Sequence, residues 1–475
     1  MSEEFPPKDL KKGRKRTEVF EKVIAGVEKA MSEDLVPKDL LRVYKRNEVL
    51  DLEKKHIVPA VAHYYKEPII FTEGQGAVLK DSDGKEYIDL FAGICTTITG
   101  YSHPKLVATL KWQAERLIYT STLYSTIPYP VLAEKLVKIA PKGLSQVYIV
   151  NSGSEANEGA IFMARKHTKS PYVVACSRAY HGRTTLAREL STSGWRSVSE
   201  GHPPGVRFTP FGYCYRCAFG KDYPDCDFEC ARYLREVIRT QTNNAIAAFI
   251  AEPIQGVGGI IKPPSEYFRI VHEIVKEFGG IYISDEVQTG FGRTGKKWWG
   301  IQHSGVDPDI ITMAKGFGSG LPIGGFLTRP EYATDYKMID AFATFGGNPL
   351  SCAGAVAVLE IIEEERYLER AEKHGQYMMK KLKALKDDHK LVGDVRGQGM
   401  MIGVELVKDL NTKEPASQEI LTVMEVCKTK GVLIGKGGLD GNVIRIQPPL
   451  ELTEKQIDTA CEALDEAFTV AEKGL

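Results

Sequence analysis

The chain has 475 residues, enough for a large α/β core with a satellite domain rather than one small domain. Lys plus Arg and Asp plus Glu both number 62, so the formal charge is zero and nothing global points to nucleic acid or an anionic membrane as partner. No apolar run approaches the ~18 residues of a membrane helix. The N-terminus MSEEFPPKDLKKGRKR has no hydrophobic core for a secretory signal, and its acidic residues fit a transit peptide poorly, so a cytoplasmic protein is expected. Nine cysteines, an odd number, argue against a secreted disulfide framework.

Residues 1–58 read as a charged, helix-prone extension with an internal echo. Pro7-Lys-Asp-Leu10, Lys15-Arg16 and Glu18-Val19 recur as Pro37-Lys-Asp-Leu40, Lys45-Arg46 and Glu48-Val49, and two copies are too few for a solenoid. The basic run Lys11-Lys-Gly-Arg-Lys-Arg16 reads as a solvated face. From His63, alternating apolar residues around Asp81-Ser-Asp-Gly84 predict a β-hairpin, and a helix is predicted over 105–119. Val147–Val150 is a buried strand, and Asn151-Ser-Gly-Ser-Glu-Ala-Asn-Glu158 leads from it into a helix predicted over 159–167. Gly153 lets the backbone approach closely there, and the free N–H groups of a first helical turn make an anion site.

Tyr172–Cys176 is the next strand, ending in Ser177-Arg-Ala-Tyr180-His181-Gly. An unusual insert spans 211–233, where Cys214, Cys217, Cys226 and Cys230 follow the spacing C-x2-C-x8-C-x3-C. That spacing is compatible with a structural tetrahedral zinc or an iron–sulfur cluster, and also with reduced buried thiols or one or two disulfides. Ala245–Ala251 is a buried strand leading to Glu252-Pro-Ile-Gln-Gly256. The short apolar run Ile281-Tyr-Ile-Ser reads as a parallel strand with Asp285 at its carboxyl end. A second, Ile310-Ile-Thr-Met-Ala, ends at Lys315 and opens into a glycine-rich turn. Ligands of open α/β sheets sit beyond such strand ends. A lysine at a dry strand end can form a Schiff base and a buried aspartate can hold a heterocyclic nitrogen protonated, which is the protein's share of pyridoxal 5'-phosphate (PLP) chemistry. Beyond Pro349 come helices rich in Ala, Glu, Lys and Leu, a strand predicted from Leu391 to Leu406, the segment Asn442–Pro449, and an amphipathic helix over 453–468.

Asp285-Glu-Val-Gln288 followed by Thr-Gly-Phe-Gly-Arg, with Ala314-Lys315-Gly316 further on, resembles the class III aminotransferases, the ω-amino-acid branch of the fold-type I PLP enzymes. The resemblance runs from about Pro59 to the C-terminus. HYYKEP, FAGI, AEPIQGVGG and VGDVRGQGMMIGVEL are nearest in flavour to the alanine–glyoxylate (type 2) and ω-amino acid:pyruvate group. It implies an α/β fold: a large domain over 99–350, whose mostly parallel seven-stranded sheet is sandwiched by helices, and a smaller α+β domain built from 59–98 and 351–475.

By the same resemblance Lys315 carries PLP and moves the proton, and Asp285 holds the ring nitrogen. Ser152, Gly153 and Ser154 hold the phosphate, Tyr180 stacks on the ring, and His181 lines the pocket. Val287 and Gln288 meet the ring face and ring hydroxyl. Arg396 grips the substrate carboxylate and Glu252 lies beside it, while Thr344 reaches a partner's phosphate in an obligate homodimer, or a dimer of dimers, with shared sites. The implied partners are an amino acid, α- or ω-amino such as alanine, β-alanine, 4-aminobutyrate or ornithine, and a 2-oxo acid such as pyruvate, glyoxylate or 2-oxoglutarate, in a ping-pong exchange. No nucleic acid or membrane partner is implied.

Three other readings compete. A racemase, decarboxylase or aminomutase would use the same first deprotonation. A nicotinamide dehydrogenase is suggested by Gly316-x-Gly-x-Gly320, which lacks the dinucleotide-binding spacing. The cysteine insert with the basic N-terminus suggests a metal-dependent binding protein.

Overall fold

A computed structural model describes residues 36–61, 63–192 and 205–473. The chain divides into two units, 1–64 and 65–475. The basic run at Lys11–Arg16 and the first copy of the echo lie outside the described residues. The second copy forms the short helix Lys38–Leu41 and the helix Arg46–His56, where the Glu48 carboxylate accepts from the Lys45 N–H at 2.8 Å. The remaining description concerns the larger unit.

Among the described residues, fifteen strands make three sheets. In chain order they are β1 (Phe71–Gln75), β2 (Val78–Asp81), β3 (Glu86–Asp89), β4 (Gln146–Val150), β5 (Val173–Cys176), β6 (Val206–Thr209), β7 (Ala248–Ala251) and β8 (Ile281–Asp285). There follow β9 (Ile310–Met313), β10 (Gly324–Thr328), β11 (Val392–Gln398), β12 (Met401–Leu406), β13 (Val432–Leu433), β14 (Gly435–Gly437) and β15 (Val443–Ile446). The central sheet has seven strands in the order β4-β10-β9-β8-β7-β5-β6. All neighbours in it are parallel except the two pairs made by β10. Strands β5, β7, β8 and β9 are buried along their whole length. Helices on both faces require that, and it is why these strands read as unbroken apolar runs.

Because β10 runs against both of its neighbours, the carboxyl ends of β4, β5, β7, β8 and β9 all lie on one edge of the sheet. Those ends and the segments leaving them carry Gly153, Tyr180, Glu252, Asp285 and Lys315. The β8–β9 register places Asp285 opposite Thr312, so the acid and the lysine that closes the next strand are neighbours by pairing alone.

The two smaller sheets combine distant parts of the chain. The hairpin β2–β3 forms where the turn residues 81–84 predict it, and β13 adds to it in parallel, Val432 opposite Ile88. The other has the order β11-β12-β15-β14. The single strand predicted over 391–406 is a hairpin: Gly399, with φ of 54°, reverses the chain between β11 and β12. The predicted helix over 159–167 begins earlier, at Gly153, because Ser152 caps it: the Ser152 hydroxyl accepts from the Glu155 N–H at 3.2 Å. The terminal helix Glu454–Glu472 is capped likewise by Thr453. No helix among the described residues is long and apolar enough to cross a membrane.

Candidate active site

The pleat of β8 separates two adjacent acids. Glu286, fully buried, turns away and accepts from the N–H groups of Gly300 and Ile301, both at 2.8 Å, and from the hydroxyls of Ser284 and Thr289. It braces the turn 300–304. Asp285, buried in turn, faces a cavity lined by Gly153, Ser154, Tyr180, His181, Glu252 and Lys315 among others. Its Oδ2 accepts from His181 Nδ1 at 2.7 Å and Asn157 Nδ2 at 2.8 Å, and its Oδ1 from the Val287 N–H at 3.1 Å. Since the carboxylate only accepts, His181 carries its proton on Nδ1.

Lys315 follows β9 with a left-handed backbone, φ of 49°, which sends its side chain into the cavity instead of along the strand. Withdrawal from water holds its ammonium below the ordinary lysine range; Cys95 and Asp285 oppose that, and Arg445 adds to it. Glu252, beyond β7, is buried, and its oxygens accept from the Tyr180 N–H at 3.0 Å and the Gly256 N–H at 2.9 Å. Burial and then the Asp285 charge push its carboxyl up to about 7.

The helix Gly153–Thr168 points its first turn at the same cavity. Space there is tight: a Cβ on Gly153 would sit 3.0 Å from Val287, and at Gly182, where φ is already 145°, one would sit 2.4 Å from the Ser154 hydroxyl, so only glycine fits at 182. The uncapped N–H groups of a helical first turn suit a dianion. His181 Nε2 is buried and has no hydrogen-bond partner among the described residues. An anion cradle, a buried carboxylate, an amine and an orphaned ring nitrogen around one cavity fit PLP.

Most of the residues singled out in the sequence converge. Gly153, Ser154, Tyr180, His181, Glu252, Asp285, Val287, Gln288 and Lys315 all line the cavity, and Ser152 caps the helix beside it. Arg396 does not. It is spent elsewhere, donating from Nε to the carbonyls of Gly259 and Ile260 at 3.1 Å and pairing through Nη1 with Asp394 at 2.9 Å and Glu405 at 2.7 Å. The cation near the site is Arg445 on β15, whose Nη2 donates to Gln288 Oε1 and Gln447 Oε1, each at 2.8 Å. A signal existed for it: an arginine between apolar neighbours of a buried strand needs a partner or a ligand. Thr344 is exposed and away from this cavity, its carbonyl accepting from the Tyr119 hydroxyl at 2.7 Å.

The zinc expectation is not carried by the structure. Cys214, Cys217, Cys226 and Cys230 are unpaired thiols, and among the described residues no group of three or more His, Cys, Asp or Glu side chains is placed to hold a metal. The insert is anchored otherwise. Arg216 donates to Glu405 at 2.6 Å and to the Lys413 carbonyl at 2.7 Å, and Tyr213 also donates to Glu405.

Comparison with known proteins places these features in context. The family profile described as Aminotransferase class-III matches residues 60–468. Human alanine–glyoxylate aminotransferase 2, mitochondrial, is 38% identical over 440 residues, covering 88% of this chain and 86% of that protein. A leucine/methionine racemase of Thermococcus litoralis is 39% identical over 421 residues, covering 88% and 94%. A solved Bacillus anthracis aminotransferase superposes with a TM-score of 0.84 at 33% identity, covering 90% of this chain and all of that one.

Proposed function

Given that the chain belongs to the class III aminotransferases and is a PLP-dependent transaminase, we propose that its donor is a small amino acid such as alanine and its acceptor a small 2-oxo acid such as glyoxylate or pyruvate. The observation that carries this choice is Arg445. It is a buried cation hydrogen-bonded to Gln288 on the cavity wall and close enough to lower the Lys315 pKa. A guanidinium there can receive a carboxylate with two parallel donors. Alanine–glyoxylate activity in the human relative's name supports a short donor.

PLP, when bound, supplies the electron sink that makes the proton beside the amino group removable. The first turn of Gly153–Thr168, with Ser152 and Ser154, would hold its phosphate; Asp285 would hold its ring nitrogen, Tyr180 and Val287 its faces, and Gln288 its hydroxyl. Lys315 Nζ takes the proton from the substrate carbon and returns it, a role suited to an amine whose pKa is lowered by desolvation. Glu252, with its carboxyl near neutrality, leaves room for a substrate carboxylate without a full opposing charge.

Holoenzyme given alanine, β-alanine, 4-aminobutyrate and ornithine in turn should lose its visible cofactor band fastest with alanine. Arg445→Gln should raise KM for alanine about 10- to 100-fold while leaving turnover of a carboxylate-free amine such as 1-phenylethylamine within about twofold. Equal losses for both donors would refute the carboxylate role. The racemase relative motivates one control: D-alanine appearing from L-alanine without any oxo acid would make racemisation the reaction.

The working unit in this reading is a homodimer with shared sites. Leu117, Ile118, Leu123, Tyr124 and Ile127 are exposed, as are Met338, Ile339, Phe342 and Phe345. The two stretches form one apolar surface, since Tyr119 packs on Phe345 with ring centroids 5.4 Å apart. Such a patch on a monomer marks an interface. Light scattering should return twice the chain mass, or four times it, and Ile127→Glu with Phe345→Glu should return the chain mass and little activity. A monomeric, fully active wild type would overturn this.

A further inference from the structure

Asn157 is buried, 1% exposed, in the helix that forms the anion cradle. Its Nδ2 donates both to Asp285 Oδ2 at 2.8 Å and to the His181 carbonyl at 2.7 Å. Its Oδ1 accepts from Thr312 Oγ1 at 2.6 Å. The orientation of the amide is dictated by its partners. A carboxylate and a carbonyl only accept, so the NH2 must face them, and the hydroxyl of Thr312 is left to donate to the oxygen. Thr312 lies opposite Asp285 in the β8–β9 ladder, on the strand that closes at Lys315. One side chain therefore joins the cradle helix, the Tyr180–His181 loop, the end of β8 and the strand of the lysine.

We propose that Asn157 is a positioning residue of the cofactor site: its carboxamide fixes which way Asp285 points and locks that carboxylate to the strand carrying Lys315. This rests on the reading of Asp285 as the partner of the ring nitrogen. The charged and titratable groups facing Asp285 are His181, which donates to the same Oδ2, and Glu252 and Lys315, whose electrostatics it shifts. A core amide serving only to fill space would have no need to present its NH2 to that oxygen.

The test uses Asn157→Asp, which keeps the shape and the bond from Thr312 but puts an acceptor where the donor was. Two carboxylates at hydrogen-bond distance do not both ionise readily. At low pH the pair shares one proton and can reproduce the bond to Asp285, though not the second one to the His181 carbonyl; at high pH it loses that proton and repels. Equilibrium dialysis of PLP against wild type and variant should give a variant only about threefold weaker at pH 6 and about 10- to 100-fold weaker at pH 9. The visible cofactor band of the variant should shift with pH over the same range relative to wild type. Asn157→Leu, of similar volume, should be weak at both pH values, and Thr312→Val, which removes only the hydroxyl that locks the amide, should weaken binding about threefold or more. Circular dichroism at each pH confirms that the proteins compared are folded. A variant-to-wild-type ratio for Asn157→Asp that does not change with pH overturns the proposal, as does wild-type affinity in both Asn157→Leu and Thr312→Val. Failure of wild type itself to bind PLP overturns the cofactor reading instead.

Discussion

Lys315→Ala is expected to lose transamination by at least about four orders of magnitude, the range spanned by a missing proton-transfer group together with a missing nucleophile. Among the described residues lining the cavity Lys315 is the only lysine, and its left-handed backbone commits it there. Lys315→Arg should fail almost as badly. A guanidinium keeps the charge and much of the length but offers no neutral nitrogen near pH 7. Removing the side chain leaves a space the size of a short amine, so millimolar methylamine or ethylamine should restore part of the proton-transfer rate to Lys315→Ala and none to Lys315→Arg. Single-turnover disappearance of alanine, read with PLP supplied in excess, measures both. Activity within tenfold of wild type in either variant would remove Lys315 from the chemistry.

The second large effect is at Asp285. Asp285→Asn changes one atom and no volume, yet two N–H donors, His181 Nδ1 and Asn157 Nδ2, converge on the oxygen it alters. An amide can satisfy them only by putting its own NH2 in the place of Oδ1, where it opposes the Val287 N–H and offers a donor instead of an acceptor to a ring nitrogen. Breaking a buried charge pair costs about 3–5 kcal/mol, so kcat/KM should fall about 10²- to 10⁴-fold and PLP should be held far less tightly. The fold itself should survive. Removing a carboxylate that now raises the Glu252 pKa relieves repulsion, and the thermal midpoint of the cofactor-free variant should match or slightly exceed that of wild type. A variant that retains both activity and affinity would show that Asp285 supports the loop and not the cofactor.

Both of these residues stand out in the amino-acid sequence alone, and the reason is local. Asp285 and Lys315 each follow a short apolar run that only a strand buried on both faces would need, so their place beyond a parallel strand end follows from chain chemistry. The same holds for the cradle at Ser152–Ser154, although its helix starts earlier than its polar sequence suggests. Asn151, Ser152 and Glu155 look like a loop because they are polar, and they are polar because they cap: the Glu155 carboxylate accepts from the Asn151 N–H at 2.6 Å while Ser152 takes the Glu155 N–H.

What failed to show in the sequence were contacts between distant segments. Arg396 and Arg445 are both arginines in strands of the C-terminal part, and nothing along the chain says which one pairs with a residue of the cavity wall. The tertiary structure decides it. Glu405 on the paired strand and the carbonyls of Gly259 and Ile260 claim Arg396, while β15 delivers Arg445 to Gln288. The four cysteines are a similar case, since their spacing along the chain suits a metal but their thiols are not gathered around one.

The sequence by itself therefore determined the α/β class, the strand ends, the lysine–aspartate pair and the anion cradle, because each depends on hydrophobic periodicity and capping within a few residues. Only the tertiary structure decided which arginine is hydrogen-bonded to Gln288 and that Asn157 and Thr312 tie Asp285 to the lysine strand. Such pairings depend on sheet order and register, which bring together residues 155 positions apart in the case of Asn157 and Thr312. No pattern read along the chain encodes a distance of that kind.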